Sequence, residues 1–194
     1  HRNCMIGSNS ASIISDAYIK GVRGFDANVL YEAMLKNSEN EGPLESVGRA
    51  GVKDYNELGY VPYDIGVNEN AARTLEYAYD DFTIAQLGKA LKKPEEEISK
   101  FTQRAHNYKN VFDPSTKLMR GRNKNGEFQS PFNPFKWGDA FTEGNSWHYT
   151  WSVFQDVNGL ALAMGGRDTM AMMLDSVFKM PPIFDDSYYG GTIH

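Results

Sequence analysis

The 194-residue chain carries a formal charge of -5, with 23% charged and 13% aromatic residues, which describes one mildly acidic domain with a real core. No basic patch is present beyond the short "KALKK", so nucleic-acid binding is disfavoured. No apolar run approaches the roughly 20 residues of a membrane span, and the lone Cys4 excludes an internal disulfide or a thiolate metal site.

Six helical segments are predicted in chain order, and they come in pairs. The first spans about 8–22 and carries Ser and Asn capping residues. The second spans 26–38 after a short Gly-Phe link. Residues 39–66, which include "KDYNELGYVPYD", read as an ordered loop with little regular structure. The third segment, 68–92, is the longest; Leu75, Ala78, Tyr79, Phe82 and Ala85 recur on one face. The fourth opens at Pro94 with three glutamates in its first turn, where the helix dipole favours them. A loop rich in Gly, Pro and Asn covers 113–142. The fifth helix is predicted over about 146–164. The sixth is "RDTMAMMLDSVFKM", with Met170, Met173, Leu174, Val177 and Phe178 as its buried face. No segment alternates with period two, so the fold class is all-α, built from helical hairpins with long connecting loops.

Two constellations attract chemistry. In "DAFTEGNSWHYTWSVF" a single carboxylate, Glu143, stands before an aromatic run with Trp137, Trp147, Tyr149, Trp151 and Phe154 around it. Rings that strip water from a glutamate favour its protonated form, which is what a glycosidase needs to protonate a departing sugar oxygen. The same residue also reads as a plain helix-entry glutamate. The second is a stripe on the third helix: Glu69, Arg73, Glu76 and Asp80 stand at i, i+4, i+7 and i+11. It reads either as a solvated face with i,i+4 pairs or as a row of carboxylates lining a sugar pocket. Scattered histidines and the absence of a GxSxG elbow leave acyl transfer without a basis.

The motifs "MIGSNSASIISDAYIKGVRGFD", "ARTLEYAYDDFTIAQLGKAL", "FDPSTKLMRGR", "PFNPFKWGDAFTEGNSWHYTWSVFQDVNGLALAMGG" and the terminal "TIH" occur in that order. Together they resemble the catalytic domain of glycoside hydrolase family 92, the calcium-dependent, exo-acting alpha-mannosidases. The resemblance runs over essentially the whole chain. It implies an (α/α)6 toroid and removal of terminal mannose, often alpha-1,2-linked, with inversion. It also implies calcium as cofactor, mannose-containing oligosaccharides or N-glycans as substrates, and a secreted, periplasmic or cell-surface bacterial location. In "FTEGN" the family's general acid falls on Glu143, and a sugar-subsite histidine falls on His194. Trp147 and Asp80 are further substrate-binding candidates, and no residue is assigned to the metal.

The ends, "HRNCMIGS" and "GGTIH", read as cuts through a larger protein. Residues 1–194 are thus expected to be a partial catalytic domain, without the family's N-terminal β-sandwich, the rest of the toroid and the general-base aspartate. Such a piece alone is expected to be inactive. Phe82, Asn133 and His148 stand where the family pattern has Trp, Asp and Gln. The alternatives are another (α/α)6 glycosidase that pairs Asp80 or Asp81 with Glu143, and a catalytically silent carbohydrate-binding scaffold.

Overall fold

A computed structural model describes residues 6–41, 48–183 and 185–190. Its centre is the long helix of the third predicted segment. Eight α-helices are named here: α1 (Asn9–Ile19), α2 (Ala27–Glu39), α3 (Val52–Leu58), α4 (Asn70–Ala90), α5 (Glu95–Arg104), α6 (Ser146–Tyr149), α7 (Val157–Ala163) and α8 (Arg167–Lys179).

Helix α4 is covered on almost every side, and Ala71, Ala72, Leu75, Ala78, Ile84, Ala85 and Leu87 are buried along it. Helices α1, α2 and α5 pack around it. Gly88 lets α2 approach closely, since a Cβ there would sit 2.9 Å from the Tyr31 hydroxyl. That hydroxyl donates to Glu97 at 2.7 Å and ties α2 to α5. Glu39 adds ion pairs to Lys100 and Arg104 at 2.8 and 2.7 Å. The starts of these helices follow the sequence signals. Asp26 accepts from the amides of Asn28 and Val29 at the head of α2, and Glu95, Glu96 and Glu97 occupy the first turn of α5.

Four sequence expectations need correction. Part of the loop predicted over 39–66 is helix α3, set between Gly51 and Gly59, both left-handed, with Val52 and Tyr55 buried three residues apart. A small antiparallel pair, β1 (Phe112–Asp113) with β2 (Leu118–Met119), opens the loop predicted over 113–142 and is too short to leave an alternation pattern. The predicted fifth helix is two pieces. Asn145 caps α6, and Asp156, whose side chain accepts from the Gly159 amide, begins α7 afresh. Side chains that bond the backbone locally compete with helix continuation. The fourth correction concerns α8, which buries none of its residues; Phe178 is 82% exposed. Its apolar stripe exists, and Met170 alone reaches the main core.

Candidate active site

The loop that carries Glu143 is fastened to the N-terminus of α4. The amide of Glu69 donates to the carbonyl of Asp139 at 2.8 Å, and that of Ala72 to the carbonyl of Ala140 at 3.1 Å. Two of the helix's unsatisfied first-turn donors thus find partners in this loop. The Asp139 carboxylate accepts from the Tyr63 hydroxyl at 3.0 Å and pairs with Lys136 at 2.8 Å. Burial and the charge of Asp139 push the Tyr63 hydroxyl up to about 12.

Beyond Asp139 the loop closes on itself, because the Gly138 amide donates to the carbonyl of Gly144 at 2.8 Å. The Tyr149 hydroxyl holds the carbonyl of Thr142 at 2.8 Å, and the Tyr149 ring stacks on Phe141. A Cβ at Gly144 would come 3.1 Å from that ring, which favours glycine after the acid. Asn145 and His148 then form a reciprocal cap at the start of α6. Glu143 lies between these two anchored pieces, with φ of +45° and its side chain exposed.

The Tyr189 hydroxyl feels the charge of Glu143: it is raised by burial and then by Glu69, Tyr188 and Glu143. Tyr188 and Tyr189 meet edge to face at 5.0 Å and wall a groove of about 410 Å³ with Asn68, Glu69 and Arg73. Trp147 and Trp137 instead line a separate cavity of about 290 Å³ with Phe135, His148 and Pro181. Glu143 is not among the residues that line this cavity, and its side chain is exposed. His194 lies outside the described residues.

The acidic stripe divides in two. At its upper end Glu69 pairs with Arg73 at 3.0 Å and faces the groove. At its lower end Asp80 is 1% exposed, which corrects both the solvated-face reading and the placing of Asp80 against a substrate. Asp80 accepts from the Ser8 amide at 2.9 Å. Asp81 pairs with Arg49 at 2.7 Å and accepts from the Tyr55 hydroxyl at 2.9 Å. Arg49 also stands 3.9 Å from Asp80 and over the ring of Tyr77. Burial raises both carboxyls against the pull of Arg49, Asp80 to about 7. These two aspartates form a sealed structural cluster, so neither serves as the partner carboxylate of Glu143. Arg49 and Asp139 were missed by the sequence reading; neither carries a motif that reveals its distant partners.

Fold and corner together define a helical-hairpin protein with an exposed acid on an anchored loop and a groove walled by two tyrosines at the head of its central helix. Residues 1–192 match the model of the glycosyl hydrolase family 92 catalytic domain, and the chain belongs to that family. It is 32% identical over 87% of its length to a protein of Arthroderma benhamiae described as an uncharacterized secreted glycosidase. It is also similar to two solved structures from Bacteroides thetaiotaomicron. The family 92 inverting mannosidase is 42% identical over 98% of this chain, with a TM-score of 0.87. The family 92 alpha-mannosidase in complex with mannoimidazole is 38% identical over 95% of this chain, with a TM-score of 0.85. This chain spans about a quarter of these relatives: 26% of the fungal protein and of the inverting mannosidase, and 24% of the mannoimidazole-bound enzyme. The architecture is all-α and corresponds to part of an (α/α)6 toroid.

Proposed function

We propose that the chain is part of the catalytic domain of an inverting alpha-mannosidase that removes terminal, alpha-1,2-linked mannose from oligosaccharides or N-glycans. Glu143 is its general acid. The observation that carries the reading is the position of the "FTEGN" glutamate, exposed on a loop tied through Asp139 and Ala140 to the head of α4 and close enough to Tyr189, a wall of the groove, to help raise its hydroxyl. An exposed carboxyl on a rigid loop can reach a glycosidic oxygen while its own backbone stays fixed, and positioned proton transfer contributes about 10²–10⁴-fold. Inversion requires a second carboxylate about 6.5–9.5 Å away to activate water on the opposite face. That base belongs to a part of the longer protein beyond these residues.

His194 is proposed as a substrate contact at the same subsite. Among the described residues no group of three or more His, Cys, Asp or Glu side chains converges to hold a metal ion. The described residues thus do not by themselves form a site for the calcium that the family implies. Secretion fits the fungal relative, described as an uncharacterized secreted glycosidase, and a periplasmic or cell-surface bacterial location fits the likeness to the Bacteroides thetaiotaomicron structures.

The test is hydrolysis of alpha-1,2-mannobiose by the full-length protein, with the first-formed anomer of mannose followed by proton NMR. Release of beta-mannose supports the reading. Release of alpha-mannose overturns inversion, and binding without any release supports a silent carbohydrate-binding scaffold.

A further inference from the structure

Five non-glycine residues adopt left-handed backbone among the described residues, and three of them are Glu69, Asp139 and Glu143. All three are acids: Glu69 and Asp139 meet where the loop docks on the head of α4, and Glu143 lies four residues further along that loop. Left-handed backbone is unfavourable for a residue with a Cβ and free for glycine. Strain of this kind concentrates at functional sites.

Two of the three side chains are accounted for. The Asp139 carboxylate is engaged by Tyr63 and Lys136, and Glu143 is the proposed acid. Glu69 is different. Arg73, itself buried and held by the carbonyl of Asn68 at 2.9 Å, binds the Oε2 of Glu69. Oε1 has no hydrogen-bond partner among the described residues. The carboxylate therefore has a fixed orientation and a spare acceptor, and it lines the groove walled by Tyr188 and Tyr189. A groove of this size falls within the range of about 300–1,000 Å³ that small ligands occupy. A charged acceptor suits sugar hydroxyls, and a tyrosine ring offers a flat apolar face to sugar C–H groups.

We propose that Glu69 is a specificity-determining residue that accepts a hydrogen bond from a hydroxyl of the glycan in the subsite adjoining Glu143, with Arg73 orienting it and Tyr188 and Tyr189 as its walls. The proposal rests on the reading of this corner as a sugar site. It does not depend on Glu143 being the acid.

The test uses the full-length protein with Glu143→Gln to suppress turnover, and calorimetry with alpha-1,2-mannobiose and its monodeoxy analogues. Glu69→Gln is expected to weaken mannobiose binding about tenfold or more, the usual scale for one charge-assisted hydrogen bond. One deoxy analogue should bind weakly to the parent and lose nothing further in Glu69→Gln, a coupling that a merely structural role would not produce. Glu69→Gly relieves the left-handed turn but frees Arg73 from its 3.0 Å pair, so it should still fold in a urea melt and bind as poorly as the Gln variant. Unchanged affinity in Glu69→Gln, or equal losses for every analogue in both proteins, overturns the proposal. If Glu143→Gln leaves hydrolysis intact while the Glu69 coupling holds, only the acid assignment fails. If the full-length protein binds no mannobiose, both readings fall.

Discussion

The amide of Glu69 donates to the carbonyl of Asp139 across 2.8 Å, and both residues have left-handed backbone, with φ of +60° and +62°. One hydrogen bond thus joins two strained positions that are 70 residues apart in sequence. Its consequence is register: the loop that carries Glu143 cannot slide along α4 without breaking it. The Ala72–Ala140 bond beside it removes the remaining freedom to pivot.

Asp139 fixes this loop in two separable ways, through its carbonyl and through its carboxylate. Asp139→Ala keeps the carbonyl but leaves Tyr63 and Lys136 without their acceptor. It is expected to cost about 1–3 kcal/mol in a urea melt. Asp139→Gly loses the same side chain but relieves the backbone, so it should be more stable than the Ala variant by about 1 kcal/mol. Equal stability of the two variants would show that the left-handed conformation is not maintained in solution.

Glu143→Gln keeps the shape of the side chain but cannot supply a proton. In the full-length protein it should slow hydrolysis of alpha-1,2-mannobiose by about 10²–10⁴-fold. Mannosides with activated aryl leaving groups need less protonation and should lose much less. Steady-state kinetics on both substrates check this, and equal losses would place Glu143 outside the acid role.

Helix α4 was legible because its 21 residues contain no proline and place small or aliphatic groups at helical spacing. Glu143 was legible through its motif. The role of Asp80 was not, since stripe geometry alone cannot show that Arg49, 31 positions earlier, folds over it and seals it. Nor was the strain at Glu69 and Asp139, because neither residue type announces a left-handed backbone. The break between α6 and α7 had a local signal in Asn145 and Asp156, both strong capping residues. The aromatic run masked it by mimicking one continuous apolar face.

The buried cluster gives a pH signature. The ordinary carboxyl range lies near 3.8, and burial raises Asp80 to about 7 despite Arg49; Asp81 and Glu76, also raised, face it from the same helix. The folded protein then holds the Asp80 proton more tightly than the unfolded chain does. That contribution is complete below about pH 4 and is lost as pH rises through about 7. Asp80→Asn removes the titration, so its stability relative to wild type should improve between pH 5 and pH 8, by on the order of 2 kcal/mol. Asp81→Asn, which breaks the 2.7 Å pair with Arg49, should instead destabilise by about 3–5 kcal/mol. Paired urea melts at the two pH values decide it, and a constant gap for Asp80→Asn would place its proton equilibrium in the ordinary range.

The exposed apolar face around α7 and α8 leads to the final prediction. Leu162 and Phe178 are 77% and 82% exposed, and Phe154 is 71% exposed nearby in sequence. Single exposed apolar residues are ordinary, but a helix with a full apolar stripe and no buried residue is not. The relatives are about four times the length of this chain, so further chain is available to cover such a face. Residues 1–194 prepared alone should therefore self-associate and bind a hydrophobic dye. They should release no mannose with or without calcium, because the proposed water-activating base is not among them. Leu162→Gln with Phe178→Ser should make the isolated chain monodisperse. In the full-length protein the same pair should destabilise by about 2–5 kcal/mol, the scale for losing buried apolar side chains. Light scattering and thermal melts on both lengths provide the check. A monomeric isolated chain with no dye binding, or an unperturbed full-length double variant, would show that this face is solvated in the native protein.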